Sequence, residues 1–115
     1  MADDCPFCGI LAGRVPADVV HEGPNTLAFR DIKPAAPVHV LVIPRHHVIS
    51  AATVEAADAE VIAEMLVTAR LVAEQEGIAA SGYRLVFNVG EDALNSVPHL
   101  HLHVLGGRLL NWPPG

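Results

Sequence analysis

Aromatic residues are scarce in this sequence. Three phenylalanines, one tyrosine and one tryptophan are spread over 115 residues, although half of the chain (51%) is apolar. The core it builds is therefore expected to be aliphatic. A chain of this length reads as one domain, residues 1–115, and can bury a core without staples. Cations are also few: seven Lys and Arg against thirteen Asp and Glu leave a net charge of −6. No broad basic surface is implied, which argues against nucleic acid as a partner. Net charge governs steering and solubility rather than one pocket, and a single phosphate can still be held by local donors. No apolar run is long enough to span a bilayer, and the start Met1-Ala2-Asp3-Asp4 is acidic. Neither a membrane helix nor a secretory signal is expected, no membrane partner is expected either, and the chain is assigned to the cytoplasm.

Cysteine occurs only twice, in Cys5-Pro6-Phe7-Cys8. The spacing allows half of a zinc site, a redox pair or a disulfide. A standing disulfide is disfavoured in a cytosolic protein. A redox pair would follow a strand in a βαβ unit, and no such pattern precedes it. Zinc would need two further ligands, usually Cys or His, and seven histidines are on offer.

What the chain does have is a row of histidines. In Ser96-Val97-Pro98-His99-Leu100-His101-Leu102-His103-Val104-Leu105-Gly106-Gly107, three imidazoles alternate with aliphatic residues. On a strand, side chains alternate between faces. His99, His101 and His103 then share one face, while Leu100, Leu102 and Val104 pack a core on the other. Neighbours on one face lie roughly 6.5–7 Å apart, so one phosphate can touch two of them. A solvent-facing histidine strand is the bland alternative, but three imidazoles on one face are a costly way to build an ordinary surface.

The rest of the chain supplies a frame for that strand. Phe7 to Gly13 reads as a short helix ended by glycine. Val19-Val20-His21 and Thr26 to Arg30 form a hairpin around the turn Glu22-Gly23-Pro24-Asn25. The loop from Asp31 to Pro37 is too rich in proline for regular structure. Val38 to Ile43 is a nearly continuous apolar strand, with His39 conspicuous inside it. Thr53 is a plausible N-cap for a helix running to about Glu76. Its core face would be Val61, Met65, Ala69 and Val72, with Ile62, Leu66 and Ala73 beside them. Glu55, Asp58 and Glu60 crowd its start, as the helix dipole favours. Tyr83 to Asn88 is a further strand, and Glu91 to Asn95 a loop. Helices and strands do not alternate regularly. The expected fold is therefore α+β: an antiparallel five-stranded sheet with one long and one short helix, both on one side.

The triad run resembles the signature of the histidine triad (HIT) family, His-x-His-x-His-x-x with hydrophobic x. The resemblance extends through Asp31-Ile32, Pro34, Ala36-Pro37 and His39, Leu41 to Pro44, Gly82-Tyr83-Arg84, Asn88 and Gly90. It continues into Val104 to Arg108 and the ending Trp112-Pro113-Pro114-Gly115. These match the Hint branch of nucleoside phosphoramidases across nearly the whole chain. The resemblance implies a two-fold homodimer whose sheets meet at the interface. It implies a purine nucleotide substrate, such as a nucleoside 5′-phosphoramidate of AMP or GMP. His101 would be the nucleophile, His103 and His39 would hold the phosphate or orient His101, and Ser96 would protonate the departing amine. Phe7, Ile10, Phe29 and Ile32 would hold the base, Asp31 the ribose, and Asn88 and Asn95 would sit among the nucleotide contacts. Trp112 would reach the partner's substrate. It further implies a structural zinc ion held by Cys5, Cys8, His47 and His99, with His46 as a neighbouring competitor, and no cofactor for the chemistry itself. Pro98 and Leu94 depart from the family, where an aromatic and a glycine are common. The competing readings are a dinucleoside polyphosphate hydrolase or nucleotidyl transferase, and a non-catalytic nucleotide- or metal-binding module.

Overall fold

The computed structural model describes residues 5–115. The acidic start, Met1 to Asp4, lies outside the described residues. Five strands form one antiparallel sheet: β1 (Val19–Glu22), β2 (Thr26–Arg30), β3 (Val38–Pro44), β4 (Tyr83–Val86) and β5 (Leu102–Gly106). Their spatial order is β1-β2-β3-β5-β4. Two α-helices accompany them, α1 (Pro6–Leu11) and α2 (Ala59–Gln75). The α+β antiparallel architecture is the one expected. No helix among the described residues is long and apolar enough to cross a membrane.

Alternation along β3 divides the molecule. Val40 and Val42 point to one face, where they pack with Ala28, Leu100, Leu102 and Val104 against Met65, Ala69 and Val72 of α2. Leu41 and Ile43 point to the other, where they pack with Leu27 and Phe29 against Phe7 of α1. The two helices therefore cover opposite faces, not one side as the sequence suggested. Helix α1 is too short to choose a face by amphipathicity; the packing of Cys5 and Phe7 decides it.

Helix α2 also begins later than Thr53. Ser50 caps a 3₁₀ turn over Ala51–Thr53, and the Thr53 hydroxyl donates back to the Ser50 carbonyl at 3.0 Å. Val54 is extended (ψ 135) and breaks the run. A second 3₁₀ turn, Ala56–Asp58, leads into the helix, with Asp58 accepting from the Glu55 amide at 2.9 Å. The expected core face of Val61, Met65, Ala69 and Val72 is buried, as is Ala73, whereas Leu66 is exposed. Strand β4 stops at Val86, so Phe87 and Asn88 leave the sheet.

The histidine run is only partly a strand. Regular pairing begins at Leu102, in register with Val42, and Pro98, His99 and His101 precede it. Pro98 consequently removes no ladder hydrogen bond. The alternation of faces holds regardless: Leu100, Leu102 and Val104 are in the α2 core, and the imidazoles are on the α1 side.

Candidate functional site

A cleft of about 450 Å³ opens between α1, the Asp31–Lys33 loop and the loop before the histidines. Phe7, Ile10, Phe29, Asp31, Ile32, Asn88, Ser96, His101 and His103 all line it. A larger hollow of about 630 Å³ between Gly77–Arg84 and Gly107–Leu110 contains none of the histidines. Asn95 does not line the cleft: its side-chain oxygen is buried and has no hydrogen-bond partner among the described residues. Asn95, expected among the nucleotide contacts, is thus not among the residues this geometry brings to the cleft. Trp112 also stands outside the cleft, 80% exposed, with the Arg84 guanidinium 5.8 Å above its ring. Residues absent from the sequence reading also line the cleft. Val15, Pro16 and Ala17 come from the turn after α1, and Leu41 from β3. Leu41 was findable, since it lies two residues from His39 on the same strand face.

The hydrogen bonds decide where the imidazole protons sit. The Ala35 amide donates to His39 Nδ1 at 2.9 Å, so neutral His39 carries its proton on Nε2. That nitrogen lies 2.8 Å from His103 Nδ1 and 3.4 Å from an Asp31 carboxylate oxygen. His103 Nδ1 therefore accepts, and its own proton goes to Nε2. That N–H faces the Asn88 side-chain amide at 3.4 Å, whose oxygen accepts once the amide is turned. His101 is fixed separately. Its Nδ1 lies 2.8 Å from the His99 carbonyl oxygen, which can only accept. His101 Nε2 is left with a free lone pair, the requirement for a nucleophile. The Phe7 ring packs edgewise on His101, with centroids 5.1 Å apart, and limits its rotation.

The same chain argues against a metal among Asp31, His39 and His103, although their ligand atoms lie within 4.8 Å of one another. A metal on His39 Nε2 would need a lone pair there, and the Ala35 amide has already claimed the one on Nδ1.

Burial, then the charges of His101 and His39, pushes His103 down from 6.5 to about 4. Burial also lowers His39, against the pull of Asp31. Both imidazoles stay neutral near pH 7. Because these folded values lie below the unfolded one, the native state takes up these protons later than the unfolded chain as pH falls. The associated stability is present above pH 6.5 and is expected to be lost between pH 6.5 and about 4. Thermal melts across that window check this. His103→Gln should show a shallower decline than the wild type, and parallel curves would count against the assignment.

A second cluster lies behind Phe7. Cys5 caps α1 and Pro6 takes its first position, so a spacing of three puts both thiols on one turn. Cys5 Sγ is 3.4 Å and Cys8 Sγ 3.5 Å from His99 Nδ1; Cys8 Sγ is 3.3 Å and His99 Nδ1 3.2 Å from His47 Nδ1. Ligands of a tetrahedral zinc ion sit about 3.3–3.8 Å apart, given bond lengths of about 2.0 Å to nitrogen and 2.3 Å to sulfur. His99 Nε2 donates to the Pro44 carbonyl at 3.1 Å, which leaves Nδ1 free as a ligand. This donor set fits a metal ion. His46 is no competitor: it is exposed and its Nε2 is 3.9 Å from Asp58. His99 thus belongs to both groups, by its ring to the thiols and by its carbonyl to His101.

Leu94 lies in the last loop. It is left-handed, at φ 62 and ψ 30, and the only non-glycine residue with positive φ among the described residues. Leu94 adopts the conformation a glycine would take, which costs about 1–2 kcal/mol for a residue with a Cβ.

A HIT domain family model matches residues 12–110. The 14 kDa zinc-binding protein of Zea mays is 44% identical over 117 residues, covering 98% of this chain and 91% of that protein. The adenylylsulfatase HINT1 of Arabidopsis thaliana is 44% identical over 111 residues, covering 95% of this chain and 75% of that protein. The crystal structure of a HIT family hydrolase from Legionella pneumophila superposes with a TM-score of 0.95 at 49% identity, covering 97% of this chain and all of that one. With two of its three triad imidazoles, His101 and His103, in a cleft on an α+β sheet and a family model matching residues 12–110, the chain belongs to the HIT domain family.

Proposed function

We propose that this chain is a Hint-branch hydrolase cleaving the P–N bond of purine nucleoside 5′-phosphoramidates. The observation that carries the reading is the bond from His101 Nδ1–H to the His99 carbonyl, which leaves the Nε2 lone pair free at the cleft. In the first step, that lone pair attacks the α-phosphorus and the P–N bond breaks. The departing nitrogen takes a proton with Ser96 as donor or relay, leaving a nucleotidyl-histidine. Water then breaks the N–P bond, releasing nucleoside monophosphate and restoring neutral His101. His103 Nε2–H can donate to a phosphoryl oxygen, and stabilising charge there is usually the largest catalytic contribution. Asp31 accepts from ribose hydroxyls. The base lies among Phe7, Ile10, Phe29 and Ile32.

An amine leaving group is the preferred reading, supported by the neutral surroundings near the triad. The residues contributed by the loop before the triad, Leu94, Ser96 and Val97, are neutral. Two cations, Arg30 and Lys33, line the other part of the cleft, and Arg30 is paired with Asp18 and Glu76. One relative is named an adenylylsulfatase, so adenylyl sulfate is the second substrate to offer. Dinucleoside polyphosphates come third, as substrates of a hydrolase or nucleotidyl transferase.

The same reading includes zinc at Cys5, Cys8, His47 and His99, supported by the spacing of the ligand atoms and by the maize relative's name. It includes a cytoplasmic protein of one HIT domain and a homodimer. Strand β4 is a sheet edge with Leu85 exposed on it, and Leu66 and Val67 are exposed on α2, surfaces suited to a second copy.

The test is to quench a single turnover of adenosine 5′-phosphoramidate and weigh the intact protein. An added nucleotidyl group, mapped to His101, is the expected result. Turnover with no adduct under rapid quench would point to direct water attack. Binding without turnover would leave the non-catalytic module.

A further inference from the structure

The loop Gly90–Asn95 closes on itself through two backbone bonds. Asn95 N–H donates to Gly90 O at 3.1 Å, and Leu94 N–H to Glu91 O at 2.9 Å. This nested pair is a Schellman arrangement, whose left-handed position is usually glycine. Leu94 occupies it, although leucine pays a steric penalty there that glycine escapes. Burial in the core does not offset the penalty, because the side chain is 85% exposed. It lines the cleft beside Ser96, Val97, His101 and His103. A plain surface loop would be served better by glycine or asparagine. A strained, exposed, apolar residue at the rim of a reactive cleft is a candidate for a contact made only when substrate is bound.

We propose that Leu94 determines leaving-group specificity, favouring amines with an apolar body, such as arylalkylamines, over ammonia. The inference rests on the phosphoramidase reading and deepens it. The nucleotide's base has its own apolar slot at Phe7, Ile10, Phe29 and Ile32, which leaves the rim at Leu94 and Val97 to the group beyond the phosphorus. Ser96, between them in sequence, is placed to pass a proton to that group's nitrogen. An aromatic body resting on Leu94 would cover both partners from water only while the amine is attached, so the contact raises kcat/KM for such substrates.

Two substrates test this, adenosine 5′-phosphoramidate and its N-benzyl derivative, with wild type, Leu94→Ala and Leu94→Gly. The readout is the ratio of kcat/KM for the benzyl over the unsubstituted substrate. Loss of one apolar contact changes such ratios by about 10-fold or more. Leu94→Ala removes the side chain and keeps the left-handed strain; Leu94→Gly removes both. A ratio that falls about 10-fold or more in both variants supports the proposal. A ratio unchanged in both overturns it, and so does a fall confined to Leu94→Gly, which would trace the effect to backbone relaxation. Turnover of neither substrate by the wild type would overturn the phosphoramidase reading and the proposal with it, an outcome distinct from turnover with unchanged ratios.

Discussion

His101→Ala is expected to lower turnover of adenosine 5′-phosphoramidate by at least about 10⁴-fold, with nucleotide affinity changed by less than about 10-fold. Removing a covalent nucleophile typically costs about 10⁴–10⁶ in kcat, because the residual rate comes only from binding and charge stabilisation. Under the proposed function the nucleotide would keep its apolar slot, its ribose carboxylate and the His103 donor, so binding should survive. Single-turnover rates and equilibrium binding of AMP, measured on the same preparations, separate the two effects. A mutant within about 10-fold of wild-type turnover would remove His101 from the chemistry and leave it as a phosphate contact. His103→Ala offers an internal contrast. It deletes one donor to the phosphoryl oxygens, for which about 10²–10³-fold is typical. A larger loss at position 103 than at 101 would invert the assignment.

Stripping metal from the cluster at Cys5, Cys8, His47 and His99 is expected to lower Tm by about 10 °C or more. The cluster joins α1 to the segment after β3 and to the peptide that precedes β5. An ion that binds the folded arrangement and not the open chain stabilises it in proportion to the logarithm of its saturation. About 3 kcal/mol, equivalent to a ligand held somewhat over 100 times above its Kd, shifts a domain of this size by about 10 °C. Zinc should be present at one equivalent per chain in protein purified without a histidine tag. Cys8→Ser should reproduce the effect of a chelator, and the chelator should do little further to that variant. Fewer than about half an equivalent of metal, or a Tm indifferent to chelation, would show a pair of free thiols beside two histidines.

The histidine run and β3 were the most legible parts of the sequence, for a reason of period. Leu100, Leu102 and Val104 alternate with the imidazoles, and so does the face choice of Val40 and Val42 against Leu41 and Ile43. A two-residue period survives even where regular pairing has not yet begun, as at His99 and His101. The start of α2 was less legible because Ser50 and Thr53 are good capping residues for any turn. They cap a short 3₁₀ turn and spend their hydroxyls there. The placement of α1 was not legible at all. Six residues carry too weak a pattern, and the helix sits where Phe7 and the two cysteines find partners across the chain. Proton positions were out of reach for a different reason. They are dictated by backbone groups, the Ala35 amide and the His99 carbonyl, which every residue type possesses. Leucine itself gives no sign of a left-handed backbone, and only the glycine common at position 94 in the family hinted at it; two hydrogen bonds around Leu94 impose the conformation.

The double membership of His99 has a consequence for how such a molecule can change over time. Its contribution to the thiol cluster is made by the side chain, which mutation can replace. Its contribution to His101 is made by the peptide carbonyl, which mutation cannot. Fastening and reactivity therefore share a position without sharing an inheritance. A descendant could exchange Cys5, Cys8, His47 and His99 for a plug of apolar side chains and still hand down the same orientation of His101.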